Sequence, residues 1–365
     1  MKKIKAEIKN GSLSDTQIES LKLNAYFTPS ISLDNISPAS LDLVTQEERY
    51  RISRMTLPKK NEKVRDIFQR MDATKVNETS GKYVFERGVK HLVYLGKIKK
   101  ELPYDIRAHV SPKSSTGRVD VHVKLLADGV PFYDTIPENF TGELWMLVVA
   151  QSFPVILPKG ETLSQIRFIK GRSRTSETEF KSLIDGGLVK DKKSKKIKYE
   201  NIQMDTIRRS LMMTLELDVK NPGFVCRGTD KILDLSKREF YKEEDFFEPV
   251  VVKNGGLVLE PNAFYILSTK EVLDIPGSFA GEMEVSNYKL GEFRAHYAGF
   301  FDPGFKGFAT LEVRSSETLF VYDGYPITEM IFENLSDPAK VLYGEKKNVN
   351  YQGQIGPTLA KYFKK

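Results

Sequence analysis

The stretch Ser152-Phe-Pro-Val-Ile-Leu-Pro-Lys-Gly160, continuing to Leu163-Ser-Gln-Ile-Arg-Phe168, has a second version later in the chain. That version is Ser316-Glu-Thr-Leu-Phe-Val-Tyr-Asp-Gly324, continuing to Ile327-Thr-Glu-Met-Ile-Phe332. Both have a serine, an apolar run, a glycine turn and an alternating segment ending in phenylalanine, in the same register. Upstream, Phe140-Thr-Gly-Glu-Leu-Trp-Met-Leu-Val148 aligns with Phe305-Lys-Gly-Phe-Ala-Thr-Leu-Glu-Val313, and Leu102-Pro103 with Ile275-Pro276. Short β-branched or aromatic runs punctuated by Gly, Pro, Asn or Asp predict an all-β sandwich or barrel. The repeat predicts two copies of one such unit.

Length agrees with duplication, because 365 residues make two ordinary domains. The stretch from about Gly171 to Ile202 is polar and repeat-free, and it separates residues 1–185 from 186–365 as the expected units. Helix is expected only in patches, at Ser14–Lys22 behind a capping residue and at Val64–Met71. Hydrophobic content of 40% and charged content of 29% suit a soluble protein. No apolar run approaches the roughly 20 residues that span a bilayer. The N-terminus lacks the apolar core of a signal peptide, so a cytoplasmic location without membrane contact is expected.

Cys226 is the single cysteine, and His91, His109, His122 and His296 show no metal-ligand spacing. Zinc-dependent base deaminases need a His or Cys beside a Glu and a paired-cysteine motif, so zinc chemistry of that type is excluded. The net charge of +7 suits polyanionic partners. Much of the excess lies in Lys190-Asp-Lys-Lys-Ser-Lys-Lys-Ile-Lys198, which reads as a solvated loop; without interleaved aromatics it is a poor nucleic-acid contact.

Two stretches carry chemistry. Pro112-Lys-Ser-Ser-Thr-Gly-Arg118 offers hydroxyls, a Lys and an Arg at a glycine-loosened turn, a set suited to phosphate oxygens or simply a polar turn. His296-Tyr-Ala-Gly-Phe-Phe-Asp-Pro-Gly-Phe-Lys-Gly-Phe-Ala-Thr-Leu-Glu312 contains the turn signature Asp302-Pro-Gly304. Glu312 stands where the first copy has Leu147, and strand alternation puts it on one face with Thr310. It is either a desolvated general base or a surface residue of an edge strand.

The second stretch resembles the signature of dCTP deaminases, H-x-T-A-G-F-I-D-P-G-F-x-G followed by T-L-E. Pro112–Arg118 resembles that family's R-S-S-x-x-R segment, and Tyr351-Gln-Gly-Gln-Ile-Gly-Pro357 its Y-Q-G-Q-x-G-P tail. Ile36-Ser-Pro-Ala-Ser-Leu-Asp-Leu43 is similar to its N-terminal I-x-P-A-S-x-D-L strand. The resemblance spans most of the chain and fits a double-length branch of the dCTP deaminase and dUTPase superfamily. It implies two tandem distorted jelly-roll or β-clip domains with a few short helices.

It also implies hydrolytic deamination of dCTP to dUTP and ammonia. Glu312 would move the proton, with Ser114 and Arg118 positioning the water. Lys113, Ser114 and Ser115 would hold the triphosphate, closed over by a tail bearing Tyr343, Tyr351 and Gln354. Asp302 and Phe305 would meet the sugar, and Ala298 and Gly299 the base. Mg2+ would arrive on the nucleotide. A homo-oligomer and inhibition by dTTP are expected on the same ground. Each copy departs from the pattern. The first has Leu147 for the glutamate and Pro137 for Asp302, and the second has Glu284–Gly291 where the serines and arginine belong. The losses are complementary and predict one composite site from both copies. A bifunctional enzyme forming dUMP, and a non-catalytic nucleotide-binding protein, are the alternatives.

Overall fold

The computed structural model describes residues 8–77, 82–205, 207–284, 297–345 and 349–364, and the backbone of 293–294. His296 and most of the Glu284–Gly291 segment lie outside the described residues.

The repeat emerges as two sets of strands whose shared members follow the same order. In the first half these are β1 (Ser40–Val44), β2 (Arg49–Ile52), β3 (Lys82–Phe85), β4 (Lys90–Ile98), β5 (Ile106–Pro112), β6 (Val121–Ala127), β7 (Gly142–Ala150), β8 (Val155–Pro158) and β9 (Thr162–Lys170). In the second they are β10 (Ser210–Thr214), β11 (Phe224–Cys226), β12 (Leu233–Asp234), β13 (Gly256–Leu259), β14 (Phe264–Asp274), β15 (Phe279–Met283), β16 (Lys306–Ser315), β17 (Leu319–Tyr322) and β18 (Pro326–Asn334). The quoted repeats are the consecutive strands β8 and β9 in the first half and β17 and β18 in the second, and in each half the two strands enter different sheets.

The first half pairs β6–β7–β4–β2 in one sheet and carries β5–β9–β1 in another. The second half repeats these arrangements as β16–β14–β11 and β15–β18–β10. All of these neighbours run antiparallel. The small antiparallel pair β3–β8 gains β12 from the second half as a parallel third strand. The fold is therefore all-β, as the sequence predicts.

Alternation decides which side of β14 and β16 meets which core. Tyr265, Leu267, Leu311 and Val313 point into the second half's own core. Phe264 and Ile266 point the other way and join a core built mostly from first-half residues, together with Ala360, Tyr362 and Phe363 of the C-terminal tail. Glu312 lies directly across from Ile266 in the ladder, so it stands on the side facing the first half.

Polar bonds tie the same seam. Arg167, 1% exposed, donates to Glu333 at 2.9 Å and Glu282 at 2.6 Å. Arg314 pairs with the buried Asp120, which also accepts from Ser152 at 2.5 Å.

Four helices are short enough to be punctuation: α1 (Asp15–Ser20), α2 (Phe68–Met71), α3 (Ser114–Gly117) and α4 (Glu177–Gly186). Two correct the expectations above. Pro112–Arg118 is not an open turn but runs from the end of β5 into the single turn α3. The supposed linker contains α4, capped by Ser176 and Glu179, whose Phe180, Leu183 and Ile184 belong to the second-half core. The lysine stretch behind it is also ordered: Val189 and Lys190 pair with β14, and Lys190 bridges back to Lys196. No described helix is long and apolar enough to cross a membrane.

The first-half counterpart of the Glu312 face is closed. Leu147, 1% exposed, packs with Ile52, Val64, Ile67, Met71, Leu92 and Trp145, so the segment bearing α2 covers β7. A carboxylate there would be buried with no cation supplied, costing roughly 3–5 kcal/mol, as an uncompensated buried charge does. Leu147→Glu is expected to lower the unfolding free energy by that amount without adding a second active site, which urea titration and turnover per chain would check.

Candidate active site

Strand β5 ends at Pro112, and Lys113 in extended conformation starts α3. Thr116 anchors the turn by donating from Oγ1 to the carbonyl of Leu163 on β9, at 2.9 Å. This leaves Ser114 and Ser115 on a cavity of about 270 Å³ that Glu312, Ala298, Asp302 and Phe305 line from the second half.

Gly117 is a point where the two halves come into close contact. A Cβ there would lie 2.8 Å from Cδ of Glu312 and 2.9 Å from each of its oxygens, so only glycine fits. The two halves of one chain thus build the composite site.

Glu312 is 1% exposed, which excludes the surface-residue reading. Its Oε2 accepts from the backbone N–H of Tyr297 at 3.0 Å and of Ala298 at 3.2 Å. Burial pushes its carboxyl up to about 7, opposed by the charge of Arg118 and the two N–H donors, with Asp120 adding to the rise. A carboxyl poised near neutrality can both take up and release a proton at physiological pH.

Arg118 is 4% exposed, and its Nε is buried without a hydrogen-bond partner among the described residues. Its Nη1 donates to the carbonyl of Thr358 and its Nη2 to Oε1 of Gln354, both at 2.9 Å. The guanidinium also lies 3.7 Å from the centre of the Tyr351 ring. Tyr351 in turn shares a hydrogen bond of 2.6 Å with Ser115. The tail is therefore docked on α3, and it seals the site.

The remaining residues singled out in the sequence fall in two groups. Ser114, Ser115, Lys113, Asp302, Phe305, Ala298, Tyr343 and Tyr351 line the cavity. Phe305 packs edge-on against Phe301 and at a tilt against Tyr343, with ring centres 5.0 and 5.8 Å apart. Burial and the neighbouring Asp302 raise the Tyr343 hydroxyl, keeping it a proton donor. Lys113 pairs with Asp42 and donates to Thr162 at 2.9 Å, so its charge is already shared. Gln354 sits behind Arg118 rather than on the cavity, and Gly299 turns its carbonyl to the N–H of Met283.

Several lining residues were not anticipated. Arg238 and Lys361 bring two more cations to the cavity, and Asp34, Gln165 and Thr310 add polar atoms. Oγ1 of Thr310 is buried without a hydrogen-bond partner among the described residues. Alternation with Glu312 was the available signal for Thr310; nothing local marks Arg238 or Lys361.

This geometry has close relatives. Residues 9–172 match the N-terminal domain, and residues 185–363 the C-terminal domain, of 2'-deoxycytidine 5'-triphosphate deaminase. The chain belongs to the dCTP deaminase family. Within the family, the crystal structure of 2'-deoxycytidine 5'-triphosphate deaminase from Agrobacterium tumefaciens superposes with a TM-score of 0.82 at 29% identity. It covers 93% of this chain and 99% of that one, so the two-copy layout is shared. A Corynebacterium glutamicum protein named "dCTP deaminase, dUMP-forming" is 35% identical over 127 residues, 33% of this chain and 67% of the relative. A Streptomyces avermitilis protein of the same name is 37% identical over 111 residues, 29% of this chain and 58% of the relative.

The titration of Glu312 has a consequence for stability. Its folded value lies above the 4.5 of a free glutamate, so between those pH values the folded protein holds the extra proton. Stability then falls as pH rises toward 7, and the penalty is fully present above it. Glu312→Gln removes the effect. The variant is expected to gain on the parent by on the order of 3 kcal/mol between pH 5 and pH 8, measured by denaturant unfolding at each pH.

Proposed function

We propose that the chain removes the amino group of dCTP by hydrolysis, in a composite site formed by the two halves of a single chain. One observation carries the proposal: the buried Glu312 carboxyl, poised near neutrality, lies against Gly117 of α3.

In this reading Glu312 takes a proton from a water that attacks C4 of cytosine. The water gives up both protons, one reaching N3 of the ring and the other the departing amino group, so the C4–N4 bond breaks as the C4 carbonyl forms and ammonia leaves. Arg118 and Ser114 orient that water and offset the charge that develops in the transition state. The N–H groups of Tyr297 and Ala298 are spent on the carboxylate, so the base is read by carbonyls in that segment. Asp302 accepts from the deoxyribose hydroxyl, and Phe305 packs on the sugar. Lys113, Ser114 and Ser115 hold the triphosphate, joined by Arg238 and Lys361.

No group of three His, Cys, Asp or Glu side chains among the described residues could hold an ion, whereas the cavity's lysines and hydroxyls suit phosphate. Mg2+ would therefore be carried by the triphosphate and neutralise part of its charge. We assign the junction of the two units to the start of the 171–202 stretch, because α4 and Val189–Lys190 within it pack on the second half. A homo-oligomer is supported by the half-exposed Val258, Phe320 and Tyr322 on β13 and β17. Inhibition by dTTP would follow from a cavity shaped for deoxynucleoside triphosphates, and a cytoplasmic setting accords with that substrate class.

The product is the open choice between dUTP and dUMP, and the names of the Corynebacterium and Streptomyces relatives favour dUMP. Chromatography of a dCTP digest separates the outcomes. Ammonia with dUTP indicates deamination alone, ammonia with dUMP and pyrophosphate indicates both steps, and no product at all refutes the enzyme reading.

Glu312→Gln is expected to lower ammonia release by about 10³-fold, a usual loss for a proton-transfer group, while dCTP still binds. Arg118→Ala should do comparable damage from the other half, and full activity in that variant would overturn the composite site. Because the base must be ionised, the rate should rise with pH through about 7 in the parent; an ammonia assay at graded pH tests this.

A further inference from the structure

Behind the C-terminal tail lies a second cavity, of about 690 Å³. It is flanked by Val272, Phe308 and Ile355, and Glu216 stands in its wall. Glu216 is 4% exposed, and its Oε1 has no hydrogen-bond partner among the described residues. A buried acceptor left unmatched is costly, so this wall is suited to an incoming N–H donor.

Four lysines line the same cavity, against the two carboxylates of Glu216 and Asp274. Asp274 is shared by Lys190 at 2.6 Å and Lys306 at 3.2 Å, and Lys192 approaches Glu216 only to 3.9 Å. Lys192 and Lys220 are exposed at the opening and supply the excess positive charge.

We propose that this cavity is a second nucleotide site, taking an amino-bearing heterocycle against Phe308 and Glu216 and its phosphate on Lys192 and Lys220. The site would give the ordered lysine stretch a ligand.

It is also joined to the first cavity. Gln354 lines it, donates to the carbonyl of Phe308 and accepts from Arg118. Phe308 lies on β16, the strand that bears Glu312. At Gly307 a Cβ would come within 3.0 Å of the Gln354 carbonyl, so strand and tail touch through backbone. A ligand that holds the tail against β16 alters the setting of Arg118, and the two occupancies become linked.

The test uses the full chain carrying Glu312→Gln, titrated calorimetrically with AMP in the presence of saturating dCTP and Mg2+. One AMP per chain is expected, together with a changed dCTP affinity when AMP is present. Lys192→Ala with Lys220→Ala should weaken AMP at least about tenfold, the loss of a charge-assisted contact. IMP, with a keto group for the amino group, should bind more weakly than AMP, and Glu216→Gln should erase that preference.

The site is refuted by no saturable AMP binding up to about 5 mM, by displacement of dCTP one for one, or by binding that the double lysine variant leaves intact. An unchanged dCTP affinity refutes the link. Should dCTP itself fail to bind, the proposed reaction is what fails, and AMP with the lysine variants still reads this cavity.

Discussion

A carboxylate sealed between two β-sheet units sets the terms for the rest of the molecule. Taking Glu312 out of water is expensive, and the cost falls only if donors and a cation are brought to it. The second half supplies two backbone N–H groups, at Tyr297 and Ala298. The first half supplies the charge of Arg118 and a surface without a side chain at Gly117. Neither half satisfies the group alone. The seam must therefore be held in register, which explains why buried ion pairs such as Arg314 with Asp120 and Arg167 with Glu333 cross it.

The two copies have met the same geometric problem in opposite ways. Where β16 turns Glu312 toward a partner surface, β7 turns Leu147 toward α2 and its flanking residues. One face stays polar and enclosed by the tail; the other is filled with apolar side chains at ordinary core density. The difference between the copies is thus a difference in what covers an equivalent strand. The Leu-for-Glu exchange follows from it, because an unpaired carboxylate could not survive under α2.

The sequence revealed features whose cause is local. Alternation along strands and glycine turns marked the consecutive strands β8 and β9 and their counterparts β17 and β18, and the same alternation set Thr310 and Glu312 on one face. Features set by distant contacts were harder to read. Pro112–Arg118 forms a helical turn because Thr116 finds the Leu163 carbonyl on another strand, which a seven-residue window does not contain. Arg238 and Lys361 reach the cavity only through the path of the chain. Lys113 looked free for phosphate but lies beside Asp42, 71 positions away. The helix α4 had a readable signal in Ser176 and Glu179, yet its polar surroundings suggested a linker.

Placing Gly117 and Glu312 on one polypeptide also changes how the site responds to dilution. When two surfaces belong to separate molecules, their meeting depends on concentration, and a scarce protein is an unassembled one. Here the meeting is intramolecular, with an effective concentration set by the chain rather than by abundance. Assembly of the site becomes part of folding. It is lost when the fold is lost.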